Sequence, residues 1–472
     1  MTHELHTAVE TLLVLLLIVF AIAVIVQRVR LPYTIALVLA GLLGFQPGFR
    51  HITLTPDLIL VVFLPLLLFE GAYNVSARRL RDNLIPITLL AGPGVLLGML
   101  ITGAVVHLLL GIAWEPALLF GALISSTDPI AVVSLFRELG APKRLALLVE
   151  GESLFNDGAA ITLFQIVLAT MVTGAFGLGG SILDFAVTVL GALLVGAVIG
   201  WAGSFLLRRL DSIQVQITAT VLVAYGSYLV AERFAVSGAI AVVVAGLLVG
   251  NYGAVGGVGL GAIHALGATW EFLGFVANSL IFLLIGIELD PLILARHIGP
   301  IAAAFVAAVV ARAIAVYALL PWLRGARRIP ARFQPAIVWG GLRGAVSLAL
   351  VLSIPLTVGG GRPFPERQTL ELLTFGVVGV SLVLQGLSMR PLIQRLGLAG
   401  EAPKDGNADV LRARLLAIEG ALFALSRAHD IGEVGGLQYE RLRGAYQTER
   451  DELAEQLRRL PDDAGADGAG MT

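Results

Sequence analysis

Long apolar runs of membrane-spanning length constrain this chain more than any other feature of its sequence. A helix needs about 20 mostly apolar residues to cross a bilayer, because lipid offers no hydrogen-bond partner to backbone groups. Such runs recur from residue 8 to residue 396, and together they indicate about thirteen transmembrane helices. The residues are 57% hydrophobic and only 14% charged, whereas soluble domains are about 25% charged. We therefore expect an all-α polytopic membrane protein.

Basic residues are distributed unevenly between the loops, and this predicts the orientation. They cluster after odd-numbered spans, as in Arg78, Arg79 and Arg81 after the third, and are sparse after even-numbered spans, as in Arg50 and Arg233. Cytoplasmic loops collect Lys and Arg. The N-terminus should lie outside and the C-terminus in the cytoplasm, in a plasma membrane of the bacterial inner-membrane type.

Composition and motifs exclude several classes of function. The net charge is −1, which argues against a nucleic-acid partner. Without cysteine there are no disulfides, thiolate metal sites or thiol nucleophiles. The stretch GGLRGAV lacks the Gly-Lys-Ser/Thr ending of a phosphate-binding loop. We expect no enzyme activity, no cofactor and no resident metal.

A cluster of polar residues interrupts the sixth span, where residues 151–160 read GESLFNDGAA. On a helix, Ser153 and Asp157 lie four positions apart and share a face, with Asn156 beside them and Glu152 at the border. Ionisable residues at membrane depth mark ion or proton pathways, and hard cations prefer oxygen ligands. A polar contact between helices is the alternative. Two acids would make such a contact costly, which favours an ion site.

The fifth span contains SSTDPIAVVS, in which Asp128 precedes Pro129. Proline lacks an N–H and disfavours helix in the residue before it, so we expect two half-helices that meet at residues 126–128. Thr127 or Asp128 would cap the second half. Such a break frees backbone carbonyls to bind cations. A simple proline kink is the alternative.

A second break is expected in the twelfth span, at Ser353, Ile354 and Pro355. The fifth and twelfth spans occupy equivalent places in spans 1–6 and 8–13. Two interrupted helices in corresponding positions indicate inverted repeats with discontinuous crossing helices.

Two further embedded charges extend the candidate site. Arg343 in the twelfth span needs a partner, and Glu152 is the expected one, which would leave Asp157 to exchange ions; snorkelling of Arg343 to the interface is the alternative. Glu70 is an acid near the inner end of the third span. Arg312 is placed similarly to Arg343 and has no assigned role.

Five motifs in register, SSTDPIAVVS, EGESLFNDG, SLIFLLIGIEL, WGGLRGAVSLAL and LVLQGLSMRPL, together resemble the sodium/hydrogen exchangers of the NHE/NhaP type. The resemblance implies a homodimer with a dimerisation part and a core part that moves like an elevator. It implies that Asp157 binds both cation and proton, and that the other ligands of the transported Na⁺ are Ser153, the Thr127 carbonyl, Glu70 and, through water, Glu152. In the same way, Asp128 would compensate the half-helix ends, Asn156 would steady Asp157, and Arg343 would pair with Glu152.

The pair Asn156-Asp157 resembles that of the electroneutral branch, since the electrogenic branch has Asp-Asp. One exchangeable carboxylate predicts 1:1 exchange of Na⁺ or Li⁺ for H⁺. A K⁺/H⁺ antiporter of the same fold is the alternative, followed by a cation channel and by a receptor that signals through its tail.

The composition changes near residue 400 to a charged helical tail. We expect residues 1–397 to form the exchanger domain and residues 398–472 a cytosolic helical tail with a disordered end. Leu411, Leu415, Ile418 and Leu422 recur at helical spacing, which predicts packing on a second helix or subunit.

Overall fold

Helices make up nearly all of the regular structure in the part of the chain that can be described. The computed structural model describes residues 2–26, 28, 32–44, 55–173, 178–253, 260–358, 362–400, 408–430 and 435–458. The bounds of the first helices are α1 Thr2–Val26, α2 Tyr33–Gly44, α3 Leu64–Asn74, α4 Ala77–Asp82, α5 Leu84–Leu89, α6 Val95–Leu110, α7 Trp114–Ser125, α8 Ile130–Glu138, α9 Lys143–Thr173, α10 Leu178–Leu207 and α11 Ile213–Arg233. The later helices are α12 Gly238–Leu248, α13 Leu260–Glu288, α14 Pro291–Arg296, α15 Ile298–Leu319, α16 Gln334–Trp339, α17 Ala345–Leu352, α18 Arg367–Val380, α19 Gly386–Arg395, α20 Ala408–Asp430 and α21 Gly436–Arg458.

Short irregular segments join or extend these helices. π-Helical turns lie at Leu58–Phe63, Leu90–Gly94, Val249–Gly253 and Ser381–Gln385. In the second of these turns, Pro93 removes one backbone donor from the helical ladder. Two short strands, β1 Thr357–Val358 and β2 Arg362–Pro363, pair in antiparallel register before α18.

Eight helical segments within the described residues are long and apolar enough to cross a membrane. Four shorter apolar helices, Leu13–Val26, Tyr33–Leu42, Leu58–Asn74 and Gly238–Tyr252, accompany them. The prediction of an all-α polytopic membrane protein is confirmed, and the count of about thirteen spans stays a prediction.

Helix α10 shows how glycine and apolar residues divide the surface of a membrane helix. Only 11% of its most apolar stretch is buried inside the protein. Leu190, Leu194 and Val198 are exposed, as is typical of residues that face lipid. Its opposite side packs on α12, where a Cβ added to Gly200 would lie 2.7 Å from the Cα of Ala245. The small residue therefore lets two helix backbones approach closely.

Both discontinuous helices are present, and one lies where the sequence indicates. Helices α7 and α8 are separated by residues 126–129, which confirms the break at Asp128-Pro129. The second break, expected at Ser353, Ile354 and Pro355, is wrong: those residues follow the end of α17, and the interruption lies at residues 340–344 between α16 and α17. The segment Gly340, Gly341, Leu342, Arg343, Gly344 contains three glycines, each of which disfavours helix by about 1 kcal/mol.

The chain divides into two compact units, Met1–Ala399 and Gly400–Thr472. In the second unit α20 and α21 pack through Leu411, Ile418 and Leu453, so the tail helices pack on each other. Leu442 of α21 is exposed. The expected disordered end lies outside the described residues. The functional assignment of ranges 1–397 and 398–472 stays a prediction.

Candidate ion-binding site

The two helix breaks lie against each other and are joined by hydrogen bonds. The Asp128 N–H donates to the Leu342 carbonyl at 2.7 Å. The Arg343 Nη1 donates to the Ser126 carbonyl at 3.2 Å. Nearby, the Ser347 hydroxyl donates to the carbonyl of Leu123 in α7 at 2.7 Å. The broken backbone of each helix is thus partly satisfied by the other, as burial of polar groups requires.

Asp128 lies where the N-terminal ends of α8 and α17 meet. Its Oδ1 accepts from the Ile130 N–H at 3.1 Å. A Cβ added to Gly344 would lie 2.5 Å from the Asp128 Cβ, so only glycine fits this approach. The carboxylate therefore sits opposite the partial positive charge of two half-helix ends.

Asp157 on α9 is buried beside the first break, with 7% of its surface exposed. Its Oδ1 accepts a hydrogen bond from the Ser126 hydroxyl at 2.6 Å. Ser126 is not among the site residues predicted from the sequence. Its one signal is its position directly before Thr127 and Asp128 in the predicted break.

Ser153 and Asn156, also on α9, both bond to Thr127. The Ser153 hydroxyl donates to the Thr127 carbonyl at 2.5 Å, and Asn156 Nδ2 donates to the Thr127 Oγ1 at 2.6 Å. The structure thus brings Ser153, Thr127 and Asp157 together. The Asn156 amide donates to Thr127, and its role in steadying Asp157 stays a prediction.

Glu152 forms a buried ion pair, and the expected partner is wrong. Both guanidinium Nη atoms of Arg312 on α15 donate to the Glu152 carboxylate, with 2.5 Å between Nη2 and Oε2. The expected partner, Arg343, donates to the first break instead. The reason is helix packing: α9 presents Glu152 to α15, while Arg343 belongs to an unwound segment that faces Ser126. Arg312, which had no assigned role, also donates to the Ile337 carbonyl of α16 at 3.4 Å.

A cavity of about 720 Å³ joins the site to the surface of the protein. Asp157, Ser153, Thr127, Asp128 and Glu70 all line it. Glu70 on α3 accepts from Asn74 Nδ2 at 3.0 Å, and no hydrogen bond or ion pair among the described residues joins it to Asp157. Glu152 and Asn156 are not among the described residues that line this cavity.

The cavity mouth is lined by charged residues near the end of α8. Arg390 pairs with Glu138, and Arg137 Nη2 lies 3.6 Å from Glu150 Oε1. All four residues border the cavity. The buried Asp157 therefore shares a cavity with charged residues that are partly exposed at the surface.

The sequence is similar to those of proteins named as Na(+)/H(+) antiporters. The chain is 37% identical over 453 residues to the Na(+)/H(+) antiporter NhaS2 of Synechocystis sp., which covers 96% of this chain and 82% of the relative. It is 39% identical over 401 residues to the Na(+)/H(+) antiporter ApNhaP of Aphanothece halophytica, covering 84% and 76%.

A solved structure of the sodium proton antiporter MjNhaP1 from Methanocaldococcus jannaschii at pH 8 has a TM-score of 0.68, with 19% identity over 84% of this chain and all of that one. At this identity the likeness shows the fold. The sequence profile of the family described as sodium/hydrogen exchanger, transmembrane, matches residues 14–395. The chain therefore belongs to the sodium/hydrogen exchanger family, which is a family of membrane transporters and not of enzymes.

Proposed function

We propose that this chain is a secondary active antiporter that exchanges Na⁺ or Li⁺ for H⁺ across the membrane. One observation carries the proposal: the buried Asp157 carboxylate borders both a helix break rich in oxygen atoms and a cavity that reaches the surface. The relatives that cover most of the chain are Na(+)/H(+) antiporters by name. Intramembrane acids at a broken helix are typical of ion and proton pathways.

The cation ligands in this proposal are Asp157, Ser153, the Thr127 carbonyl and Glu70. All offer oxygen, which suits hard monovalent cations, and all line the same cavity. The Ser153 hydroxyl and the Thr127 carbonyl bond to each other at 2.5 Å, so a cation bound between them would replace that bond. Glu70 would approach the cation from α3, which packs against α9.

Glu152 has a different task, because its carboxylate is held by Arg312. We assign it a scaffold role between α9 and α15, and its water-mediated contact with the cation stays a prediction. Asp128 would balance the half-helix ends, and Arg343 would hold the first break through Ser126. In this proposal Glu70 is an additional cation ligand, and Asp157 is the carboxylate that exchanges its ion.

One exchangeable carboxylate leads to 1:1 stoichiometry. Asn156 is neutral, and Glu152 is paired with Arg312. Asp157 is neutralised either by one proton or by one Na⁺, so the two compete and each cycle moves no net charge.

The cavity suggests which side is open. Arg137, Glu138 and Arg390 at its mouth belong to the ends predicted to be cytoplasmic, so the cavity would lead from Asp157 to the cytoplasm. Alternating access would then require the core to move like an elevator against a dimerisation part, in a homodimer. The N-terminus would lie outside, with residues 398–472 forming a cytosolic tail.

The test is transport by purified protein in proteoliposomes with an imposed pH difference. Addition of Na⁺ or Li⁺ should dissipate the pH difference with saturable kinetics and without building a membrane voltage. A response to K⁺ alone would change the assignment to K⁺/H⁺ exchange. Voltage generated during Na⁺-driven proton flux would refute the 1:1 ratio, and single-channel currents would refute antiport.

A further inference from the structure

Ser126 is the residue of the site whose chemistry the proposed function does not yet use. It lies in the first break with φ −58° and ψ 139°, is 2% exposed and borders the cavity. Its carbonyl accepts from Arg343, and its hydroxyl donates to Asp157. Arg343 holds the Ser126 backbone through its carbonyl, so the Ser126 side chain is free to rotate its O–H bond away from Asp157 while the residue stays in place.

A serine hydroxyl carries one donor and two acceptor lone pairs. As a donor to a carboxylate it forms a short charge-assisted hydrogen bond, which stabilises the ionised acid. As an acceptor it is an oxygen ligand for a hard cation. The 2.6 Å between the Ser126 Oγ and Asp157 Oδ1 means that a cation bound to this carboxylate oxygen would lie within reach of the hydroxyl oxygen.

We propose that Ser126 is a further, exchangeable ligand of the ion site, an inference that rests on the proposed antiport function. Its hydroxyl donates to the ionised Asp157 before the cation binds and coordinates the monovalent cation afterwards. The hydroxyl therefore favours both proton-free forms of the site. The Ser126 hydroxyl therefore affects the competition between cation and proton for Asp157, in addition to its structural role in the helix break.

Several charges surround this pair, and they stay in place when Ser126 is changed. Asp128 and Glu152 act on Asp157 electrostatically. The other charged groups that line the cavity are Arg28 after α1, Glu70 on α3, Arg137 and Glu138 on α8, Glu150 on α9, Glu271 on α13 and Arg390 on α19. Arg312 on α15 is paired with Glu152, and Arg343 in the second break is bonded to Ser126. A change of pH profile in a Ser126 variant therefore reports the hydroxyl.

The experiment measures Na⁺-driven dissipation of a pH difference in proteoliposomes, with Ser126→Ala compared with the unchanged chain. Loss of one bond to a charged group should raise the KM for Na⁺ roughly 10-fold and leave kcat within about 2-fold. The acidic limb of the pH profile should move to higher pH, because protons compete better once the donor is gone. Ser126→Thr, which keeps the hydroxyl, should restore both.

The neighbouring Ser125 is the matched control. It is also buried, but its hydroxyl donates to the Gly121 carbonyl of its own helix at 2.6 Å. Ser125→Ala should keep the KM and the pH profile of the unchanged chain. If both serine variants shift equally, or if Ser126→Ala lowers only kcat, the hydroxyl is structural and the proposal is overturned.

Two measurements keep the result interpretable. Ser126→Cys keeps the shape of the side chain but has a weak donor, so it should reproduce the raised KM if the alanine variant does not fold. Stabilisation by Na⁺ against heating in detergent reports binding without transport. Absence of exchange by the unchanged chain would refute the antiport function, whereas equal stabilisation of the unchanged chain and Ser126→Ala would refute the role of Ser126.

Discussion

The two helix breaks adjoin each other but are built from opposite materials. Residues 126–129 present hydroxyl, carbonyl and carboxylate oxygens, from Ser126, Thr127 and Asp128. Residues 340–344 present three glycines and the guanidinium of Arg343. The first break therefore offers oxygen ligands, whereas the second offers positive charge and room for close approach of the backbone. The two helix breaks therefore differ in the chemical groups that their side chains contribute.

Different helices hold the two breaks in place. The first is held by α9, through Ser153 and Asn156 on Thr127. The second is held from the last span of the membrane unit, where the Ser381 hydroxyl accepts from the Arg343 N–H at 3.0 Å and Gln385 Nε2 donates to the Trp339 carbonyl at 3.1 Å. We therefore expect changes around the first break to alter ion binding, and changes around the second to alter the position of the backbone.

The largest effect is expected for Asp157→Asn. This change removes the charge that cation and proton share, so exchange should be abolished, while the buried amide keeps the shape of the side chain. Proteoliposome flux and size-exclusion chromatography would measure the two properties. Asp184→Asn is the matched control, since Asp184 is exposed on α10. Sodium uptake coupled to a pH difference in the Asp157 variant would refute the site.

Breaking the buried ion pair should chiefly cost stability. Glu152→Gln leaves the Arg312 guanidinium buried without its charge partner, which costs about 3–5 kcal/mol in comparable pairs. The thermal unfolding midpoint in detergent should therefore fall well below that of the unchanged chain.

A double-mutant cycle tells the two arginines apart. Glu152→Gln should couple to Arg312→Gln by about 1–3 kcal/mol and more weakly to Arg343→Gln, because Arg343 is bonded to the first break. If Glu152→Gln coupled more strongly to Arg343→Gln than to Arg312→Gln, Arg343 would be the partner of Glu152, as the sequence predicts.

Local sequence signals located the first break but not the second. Asp128-Pro129 lies in mid-span, where proline must interrupt the ladder. Pro355 gives the same signal, but it lies beyond the end of α17, so there it marks a helix end. The three glycines of residues 340–344 are a weaker signal, since glycine occurs 55 times in the chain.

Partner choice could not be read from the sequence, because it depends on which helices pack together. Helical periodicity placed Ser153 and Asp157 on one face of α9, and the structure puts both beside the first break. It could not say whether Glu152 faces α15 or the twelfth span. Ser126 lies in extended backbone, where no helical period applies, so its position in the predicted break was its one signal.

Closing the space between the two breaks should have an intermediate effect. An added Cβ in Gly344→Ala would meet the Asp128 Cβ at 2.5 Å, so the breaks must move apart by a fraction of an ångström. Displacements of this kind in a functional site cost roughly 10- to 100-fold in rate, and proteoliposome flux would measure the loss. Gly267→Ala on α13 is the control, since nothing lies within 4 Å of its added Cβ. Full activity of Gly344→Ala would show that the approach is not needed.

The smallest effect is expected for Ser381→Ala, which tests where the second break lies. Ser381 is fully buried, and its hydroxyl accepts from the Arg343 N–H and donates to Gln385 Oε1 at 2.5 Å. The change leaves a buried N–H without its partner, at a cost of about 1–3 kcal/mol, and should lower the thermal midpoint with a few-fold loss of flux. Ser353→Ala should change neither, because in the described structure the Ser353 hydroxyl donates only to the Leu350 carbonyl in the last turn of α17. If Ser353→Ala lowered the thermal midpoint and the flux more than Ser381→Ala, the interruption would lie near Pro355. The Ser381 hydroxyl would then not be what holds Arg343 beside the first break.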